Sequence, residues 1–332
     1  MRSGRRNPIP GVFALAAALF FVAFPARAAT LEETVSAVVQ VKTTIAPDGQ
    51  TVQSLGRARE GSGVVIDEDG LILTIGYLMV EAHAAEITMN TGRTVPATVV
   101  GYDHVTGFGV LRAIEPLKIK PLPFGRSADV KEHDPVLVAS HGGAGMAGAA
   151  YVVGKREFAG NWEYLLDEAI FTSPPHPAWS GAALISRDGK LVGIGSLIVG
   201  DAAGNGEATP GNMFVPIDRL LPILGDLIAD GRVSGPGQPW LGIAANDVGG
   251  RLVVSRVTPE GPGEKAGIRR GDEIVGVKGE MPRGLADFYR KVWATGAAGT
   301  TVPLDVAHGG EKRRIDVKSM NRLDHLKLKS TL

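Results

Sequence analysis

The sequence has 332 residues, with 35 basic and 35 acidic side chains, 45 glycines, 21 prolines and no cysteine. This length predicts two domains, and the balanced charge gives no electrostatic reason to expect a nucleic-acid partner. The absence of cysteine excludes disulfide bonds, thiol catalysis, iron–sulfur clusters and zinc sites with cysteine ligands. The many glycines and prolines, with only 6% aromatic residues, favour β-rich domains with tight turns.

The first residues have the organisation of a secretory signal peptide. Arginines at positions 2, 5 and 6 precede an unbroken apolar run of 13 residues over 12–24, and Ala-Arg-Ala follows at 26–28. This pattern predicts cleavage after Ala28, giving a signal peptide over residues 1–28. The alternative, a membrane anchor, needs about 20 apolar residues. Without residues 1–28 the chain has 31 basic and 35 acidic side chains, a formal charge of −4, and we expect it in a bacterial periplasm.

Between residues 31 and 232, short β-type runs alternate with turn residues such as Asp-Gly and Gly-Gly pairs. Regular short strands of this kind predict a closed or sandwiched antiparallel architecture. The predicted strands are 63–66, 71–74, 86–89, 94–100, 108–112, 135–139, 184–186 and 191–194. A helix is predicted over 217–229, with Gly231 as its stop signal.

Residues 233–239 are predicted to form a linker, because residues 234–239 are turn residues with no apolar anchor. A smaller α/β module follows over 240–320, with strands at 241–244, 252–257, 273–277 and 302–306. Its helix is predicted over 285–294 and has one apolar face, made of Leu285, Phe288, Tyr289, Val292 and Trp293. The polar, Lys-rich tail over 321–332 is expected to fray.

Several motifs occur in an order that resembles the HtrA-type (Deg-type) periplasmic serine proteases. They are G-S-G-V-V-I at 61–66, D-G-L-I-L-T at 69–74, W-S-G at 179–181, G-N-M-F-V-P at 211–216 and W-L-G-I at 240–243. Residues 262–274 look like the core of a bacterial PDZ domain. The resemblance covers nearly the whole chain after residue 28. It implies a mainly β protein: a chymotrypsin-like double antiparallel β-barrel with a Ser-His-Asp triad, followed by an α/β PDZ domain.

The triad is incomplete in this sequence. Residues 178–182 read Ala-Trp-Ser-Gly-Ala where the family has Gly-Asn-Ser-Gly-Gly, which places Ser180 at the nucleophile position. Tyr77 stands at the usual histidine position, and Gly107 stands at the usual aspartate position. By the same resemblance, the backbone N–H groups of Ala178 and Ser180 would form the oxyanion hole.

These replacements predict a degenerate protease. A serine hydroxyl needs a base during attack, and an ordinary tyrosine is only about 0.1% phenolate at pH 7. Loss of the base alone lowers the rate by about 10⁶ in a comparable triad. The histidines that could replace the base are His176, His141, His83 and His104, and each is more simply explained as a turn or surface residue. No cofactor is expected, and no metal site either, because the histidines lack ligand spacing.

The loop over Trp240, Leu241, Gly242 and Ile243 resembles the carboxylate-binding loop of the family, in which consecutive backbone N–H groups hold a peptide C-terminus. The peptide would add as a strand beside residues 243–245, with its side chains against the helix that carries Tyr289. The alternative is that Trp240 and the apolar helix face only form core.

The sequence leaves three functions open. The first is a periplasmic binding, quality-control or regulatory protein that captures unfolded proteins or exposed C-termini without cutting them. The second is an active serine endopeptidase that uses Ser180 with a non-standard base. The third is a structural partner of an active homologue. The family is commonly trimeric, so the resemblance implies a homotrimer, and neither a stable membrane span nor a nucleic-acid partner is expected.

Overall fold

The computed structural model describes residues 30–328 of the chain. The predicted signal peptide lies outside the described residues. Among residues 30–328, no helix is both long and apolar enough to cross a membrane.

The first β-barrel is built from six antiparallel strands. Their order around the barrel is β1-β2-β3-β6-β5-β4, and pairing of β1 with β4 closes it. Closure leaves no unpaired strand edge. The strands are β1 (Val38–Ile45), β2 (Ala58–Val65), β3 (Leu71–Ile75), β4 (Ala82–Thr88), β5 (Thr94–Tyr102) and β6 (Phe108–Ala113).

A second six-stranded barrel follows, with the order β10-β11-β12-β9-β8-β7. Its longest strands, β8 and β9, pair with each other to form a hairpin whose tip is residues 161–163. The strands are β7 (Pro135–Ala139), β8 (Ala147–Gly160), β9 (Tyr164–Ser173), β10 (Ala183–Ile185), β11 (Leu191–Val199) and β12 (Gly211–Pro216). The predicted double antiparallel barrel is confirmed.

Three α-helices accompany the barrels: α1 (Leu31–Ser36), α2 (Val52–Leu55) and α3 (Leu221–Asp230). The sequence predicted one helix over 217–229, whereas the structure has a 3-10 turn over Ile217–Arg219 and then α3. Pro222 lies in the first turn of α3, where proline is accommodated. Gly231 ends the helix with a φ of 71°, as its stop signal predicted.

The C-terminal module is a five-stranded antiparallel sheet in the order β13-β14-β15-β16-β17. Strand β13 is an edge strand and lies beside helix α5. The elements are β13 (Ile243–Val248), β14 (Arg251–Val257), α4 (Pro262–Lys265), β15 (Glu273–Val277), α5 (Leu285–Trp293), β16 (Thr301–His308), β17 (Glu311–Lys318) and α6 (Arg322–His325). The apolar face predicted for α5 is confirmed, because Phe288, Tyr289 and Val292 are buried.

The expectation that the tail frays is wrong for residues 321–328. Arg322 donates a hydrogen bond to the carbonyl oxygen of Trp162 at 2.9 Å. The backbone N–H of Lys327 donates to the carboxylate of Glu81 at 2.8 Å. The tail is ordered because these donors satisfy acceptors of the second and first barrels. Residues 329–332 lie outside the described residues.

One apolar cluster combines side chains of both barrels. Leu73 and Phe108 of the first barrel and Phe171 and Ile194 of the second are each at most 2% exposed. Full burial of such a side chain stabilises the fold by roughly 1.5–3 kcal/mol. This shared core fixes the two barrels against each other at the place where the nucleophile position lies.

Candidate functional sites

Ser180 lies between β9 and β10, in a segment that is tied to both barrels. Ser62 of β2 donates its N–H to the carbonyl oxygen of Ser180 at 2.8 Å, and Gly181 donates its N–H to the carbonyl oxygen of Gly195 at 2.9 Å. Gly181 has a φ of 72°, and a β-carbon there would lie 1.9 Å from the carbonyl oxygen of Ser62. Only glycine fits this position, so the backbone around Ser180 remains rigidly placed.

The hydroxyl oxygen of Ser180 is buried, and no side chain of residues 30–328 lies in good hydrogen-bond geometry with it, although the hydroxyl of Tyr77 is near enough to interact with it. An activated serine has its hydroxyl hydrogen-bonded to a general base, which removes the proton during attack. No histidine or carboxylate hydrogen-bonds to the Ser180 hydroxyl in residues 30–328. In this structure the hydroxyl at the predicted nucleophile position therefore lacks the hydrogen bond to a base on which activation depends.

Tyr77 lies beside Ser180, in the 3-10 turn Gly76–Leu78 that follows β3. Its hydroxyl donates to the carbonyl oxygen of Ser196 at 2.8 Å, so its proton is already engaged. Burial raises the pKa of Tyr77 to about 12, and the adjacent Ser180 and Trp179 side chains act in the opposite direction. At pH 7 about one molecule in 10⁵ would carry a phenolate, so Tyr77 is a poor replacement for a histidine base.

Gly107 lies in the turn before β6, close to Tyr77 in the fold. It has a φ of 84°, and its carbonyl oxygen accepts from the N–H of Gly76 at 2.7 Å. A β-carbon at position 107 would lie 3.2 Å from the hydroxyl of Tyr164, which itself donates to the carbonyl oxygen of Thr106 at 2.6 Å. Tyr164 thus fills the space that a side chain at 107 would need.

One of the two predicted oxyanion donors is already in use. The N–H of Ala178 donates to Nδ1 of His176 at 3.2 Å, which requires the neutral imidazole with Nδ1 unprotonated. Burial lowers the pKa of His176, which favours that neutral form. The buried Asn212 side chain accepts from the N–H of His176 at 2.6 Å and fixes the turn. While it donates to His176, the Ala178 N–H is not free to donate to a substrate oxyanion.

The remaining candidate histidines have other surroundings. His141 lies 3.1 Å from the hydroxyl of Ser62 through Nδ1. Both ring nitrogens of His104 are buried without a hydrogen-bond partner in residues 30–328, and burial holds its pKa well below the usual value. His83 is exposed on β4. None of the four proposed histidines hydrogen-bonds to Ser180. Within the described residues, no group of three or more metal-ligating side chains could hold an ion.

The loop over residues 240–243 has the form of a backbone N–H cradle. Gly242 has a φ of 72°, which lets the N–H groups on either side point to one place. The N–H of Leu241 donates to Oε2 of Glu163 at 2.8 Å, and the N–H of Ile243 donates to Oε1 at 3.0 Å. Trp240 lies at the start of the loop and is 6% exposed. The cradle therefore receives a carboxyl group, and that group belongs to the second barrel.

Tyr289 of α5 faces the same hairpin tip. Its hydroxyl donates to the carbonyl oxygen of Gly160 at 2.7 Å and accepts from the N–H of Glu163 at 3.1 Å. The sequence placed Tyr289 in a peptide-binding groove, and the structure brings it to the loop but engages it with the chain itself. Glu163 is the residue that sequence reasoning missed, because nothing near it in the sequence marks it as a ligand.

Comparison with known families supports this two-part organisation. A model of the trypsin-like peptidase domain matches residues 61–194, and a PDZ-domain model matches residues 239–319. With the observed barrels, these matches confirm the predicted fold class. The structure resembles that of the HtrA-type protease AlgW with a decapeptide, with a TM-score of 0.52, 20% identity and coverage of 89% of this chain and 99% of that one. At this identity the likeness establishes a shared fold.

Curated relatives align over most of the chain. HhoA of Synechocystis sp. is 30% identical over 287 residues, which are 79% of this chain and 71% of HhoA. The serine protease PepD of Mycobacterium tuberculosis is 28% identical over 80% of this chain and 62% of PepD. The periplasmic pH-dependent serine endoprotease DegQ of Escherichia coli is 28% identical over 77% of this chain and 58% of DegQ. This chain thus spans less than two thirds of PepD and of DegQ.

Proposed function

Because this chain belongs to the HtrA/Deg family of trypsin-like, PDZ-containing serine proteases, we propose that it is a member that binds protein segments without hydrolysing them. Its ligands are unfolded proteins or exposed C-termini, and its role is in quality control or regulation. The observation that carries the proposal is the unpartnered hydroxyl of Ser180. Without a base, the only acceleration of acyl transfer that remains comes from substrate binding and from backbone N–H groups near the reacting carbonyl, and it is a small part of the acceleration by a complete triad.

The surroundings of Ser180 support the loss of activity at each catalytic role. Tyr77 stands at the predicted base position, and its hydroxyl donates a hydrogen bond to the carbonyl oxygen of Ser196. Position 107 has no side chain to orient a base. The N–H of Ala178 donates to His176 instead of facing an oxyanion. Each of these three roles is worth several kcal/mol to a serine protease.

The PDZ module supports the binding role. Its 240–243 loop presents N–H groups that bind a carboxyl group, and the adjacent β13 is an edge strand with α5 alongside. An extended peptide adds to such an edge through main-chain hydrogen bonds, while its side chains fill the neighbouring groove.

A periplasmic location is part of the proposal. Residues 1–28 have the basic, apolar and Ala-x-Ala pattern of an export signal. DegQ, which aligns over most of this chain, is named a periplasmic endoprotease. Absence of cysteine is compatible with an oxidising compartment, where a free thiol would be a liability.

The activity is tested by incubating the purified protein with casein and, separately, with a fluorophosphonate probe that labels activated serines. We expect neither cleavage nor labelling, and the same result for Ser180→Ala. Ser180→Ala is the matched control because it removes only the hydroxyl. Cleavage or labelling by the wild-type protein that disappears in Ser180→Ala would overturn the proposal in favour of an active endopeptidase with a non-standard base.

A further inference from the structure

The tip of the β8–β9 hairpin places a glutamate in the carboxylate-binding loop of the PDZ module. Glu163 has a φ of 59° and is only 3% exposed. Each of its two carboxyl oxygens accepts a backbone N–H from the loop, one from Leu241 and one from Ile243. These are the N–H groups that the resemblance assigns to the terminal carboxylate of a bound peptide. The side chain of Glu163 thus makes the contacts expected of a ligand.

A second side chain of the hairpin fills apolar space in the same module. Leu165, two residues after Glu163 on β9, is 8% exposed and belongs to the apolar cluster of the PDZ module, with Ile243, Phe288 and Val292. A peptide C-terminus offers such a module a carboxylate and an apolar side chain. The hairpin supplies both of these elements from within the chain.

Further contacts hold the tip in place. Tyr289 bridges the backbone of Gly160 and Glu163 through its hydroxyl. Arg322 of α6 donates to the carbonyl oxygen of Trp162 at 2.9 Å. Arg290 of α5 forms exposed ion pairs with Glu157 and Asp167 on the two arms of the hairpin. The exposed pairs contribute little in water, so the buried contacts around Glu163 dominate the docking.

We propose that the carboxyl group of Glu163 is an internal ligand of the 240–243 loop, so that a peptide with a free C-terminal carboxylate binds only by displacing the hairpin tip. This regulation rests on the proposed function, since it concerns the same peptide site. The apparent affinity for a peptide is then reduced by the fraction of molecules in which the loop is free. Attachment to the same chain gives Glu163 a high effective concentration at the loop.

Burial makes the charged form of the docked Glu163 carboxyl group less favourable than it is in water. Burial raises the pKa of Glu163 to about 7, although the loop N–H groups and the charge of Arg322 act in the opposite direction. A raised carboxyl pKa means that the charged form is less well solvated in the docked state than in water. When a peptide carboxylate enters the loop, Glu163 is released to solvent and its carboxylate regains its hydration. This gain offsets part of the free energy needed to displace the hairpin tip.

The test measures peptide binding by fluorescence anisotropy. The probe is a fluorescein-labelled decapeptide ending in leucine, made with a free C-terminal carboxylate and, separately, with a C-terminal amide. We expect Glu163→Ala to bind the free-carboxylate peptide about tenfold more tightly than wild type or better, while binding of the amide stays weak. Asn161→Ala is the matched control, because it removes the contact of the same tip with Asn246 and leaves the carboxyl group in place. Its affinity should remain within about twofold of wild type.

Hydrogen–deuterium exchange provides a readout that needs no peptide. Amide exchange of residues 240–244 should become faster in Glu163→Ala than in wild type and stay unchanged in Asn161→Ala. Glu163→Gln is the second variant if Glu163→Ala fails to fold. Its amide group turns one carboxyl acceptor into a donor facing a loop N–H, so it should also speed exchange and tighten binding of the free-carboxylate peptide.

The outcomes separate this proposal from the proposed function. Equal affinity of wild type and Glu163→Ala for the free-carboxylate peptide, with unchanged exchange, would overturn the internal ligand and leave peptide binding intact. Equal tightening for the carboxylate and amide peptides would also overturn it, since competition would then not depend on the carboxylate. If no protein binds either peptide, the proposed function fails. In that case amide exchange alone tests whether Glu163 is an internal ligand. Faster exchange of residues 240–244 in Glu163→Ala supports the proposal, and unchanged exchange overturns it.

Discussion

The two candidate sites of this chain use their polar groups in opposite ways. At the junction of the barrels, the hydroxyl of Ser180 has no partner among residues 30–328, and the groups around it are engaged elsewhere. At the PDZ loop, the N–H groups of Leu241 and Ile243 are paired with a carboxyl group. Catalysis depends on particular side chains and ends when they change. Recognition by backbone N–H groups survives any substitution that preserves the loop conformation.

The backbone of the Ser180 site should nevertheless still be essential for folding. We expect Gly181→Ala to lower the free energy of unfolding by about 4 kcal/mol or more, because the new β-carbon would overlap the carbonyl oxygen of Ser62. Gly189→Ala is the matched control: it has the same φ of 72° with no atom within 4 Å, so only backbone strain of about 1–2 kcal/mol applies. Urea denaturation followed by circular dichroism measures both losses. Equal losses would show that the contact with Ser62 does not matter.

The PDZ site should make stability depend on pH. Burial raises the pKa of Glu163 to about 7, so the folded chain holds this proton more tightly than the unfolded chain does. The contribution to stability is therefore fully present below the ordinary glutamate pKa of 4.5 and is lost as the pH rises through 7, by up to about 3 kcal/mol. Denaturation at pH 5 and pH 8 should show a larger drop for wild type than for Glu163→Gln, which cannot titrate. Parallel drops in the two proteins would contradict the prediction.

A smaller effect is expected at the base position. Tyr77→Phe removes the hydroxyl that donates to the carbonyl oxygen of Ser196, and Ser196 is only 4% exposed. We expect a loss of about 1 kcal/mol in the free energy of unfolding, because the buried carbonyl oxygen loses its donor. Tyr151→Phe serves as the control, since Tyr151 is 56% exposed. Thermal denaturation should show a lower melting temperature for Tyr77→Phe than for Tyr151→Phe. Equal melting temperatures would show that the Tyr77 hydroxyl does not contribute to stability.

The smallest effect is expected for restoration of the base alone. Tyr77→His supplies an imidazole near Ser180, but Gly107 cannot orient it and the N–H of Ala178 still donates to His176. We therefore expect no cleavage of casein above that of Tyr77→His/Ser180→Ala. Measurable cleavage that requires Ser180 would show that the site needs only its histidine to work.

The sequence predicted those strands of the fold that have turn residues at their ends. Strands such as β3, β6 and β7 are bounded by turn residues and are continuous apolar or alternating runs, so their positions were evident. The β8–β9 hairpin was missed. Its pairing shifts register between Val152 and Gly154 and again between Arg156 and Phe158, which interrupts the alternation that marks a strand. It is stabilised by its partner strands and by α5, which no local pattern reports.

The sequence by itself predicted the two barrels, the PDZ module and the residues at the three triad positions, because short runs of neighbouring residues resemble the motifs of the HtrA family. Only the tertiary structure decided how those residues are used. Gly107 is faced by Tyr164, and Tyr77 donates to Ser196, which is 119 residues away. Glu163 meets Leu241 across 78 residues and fills the loop that the sequence assigned to a peptide. Contacts of this kind arise from packing of the barrels against the PDZ module, and no periodicity or motif encodes them.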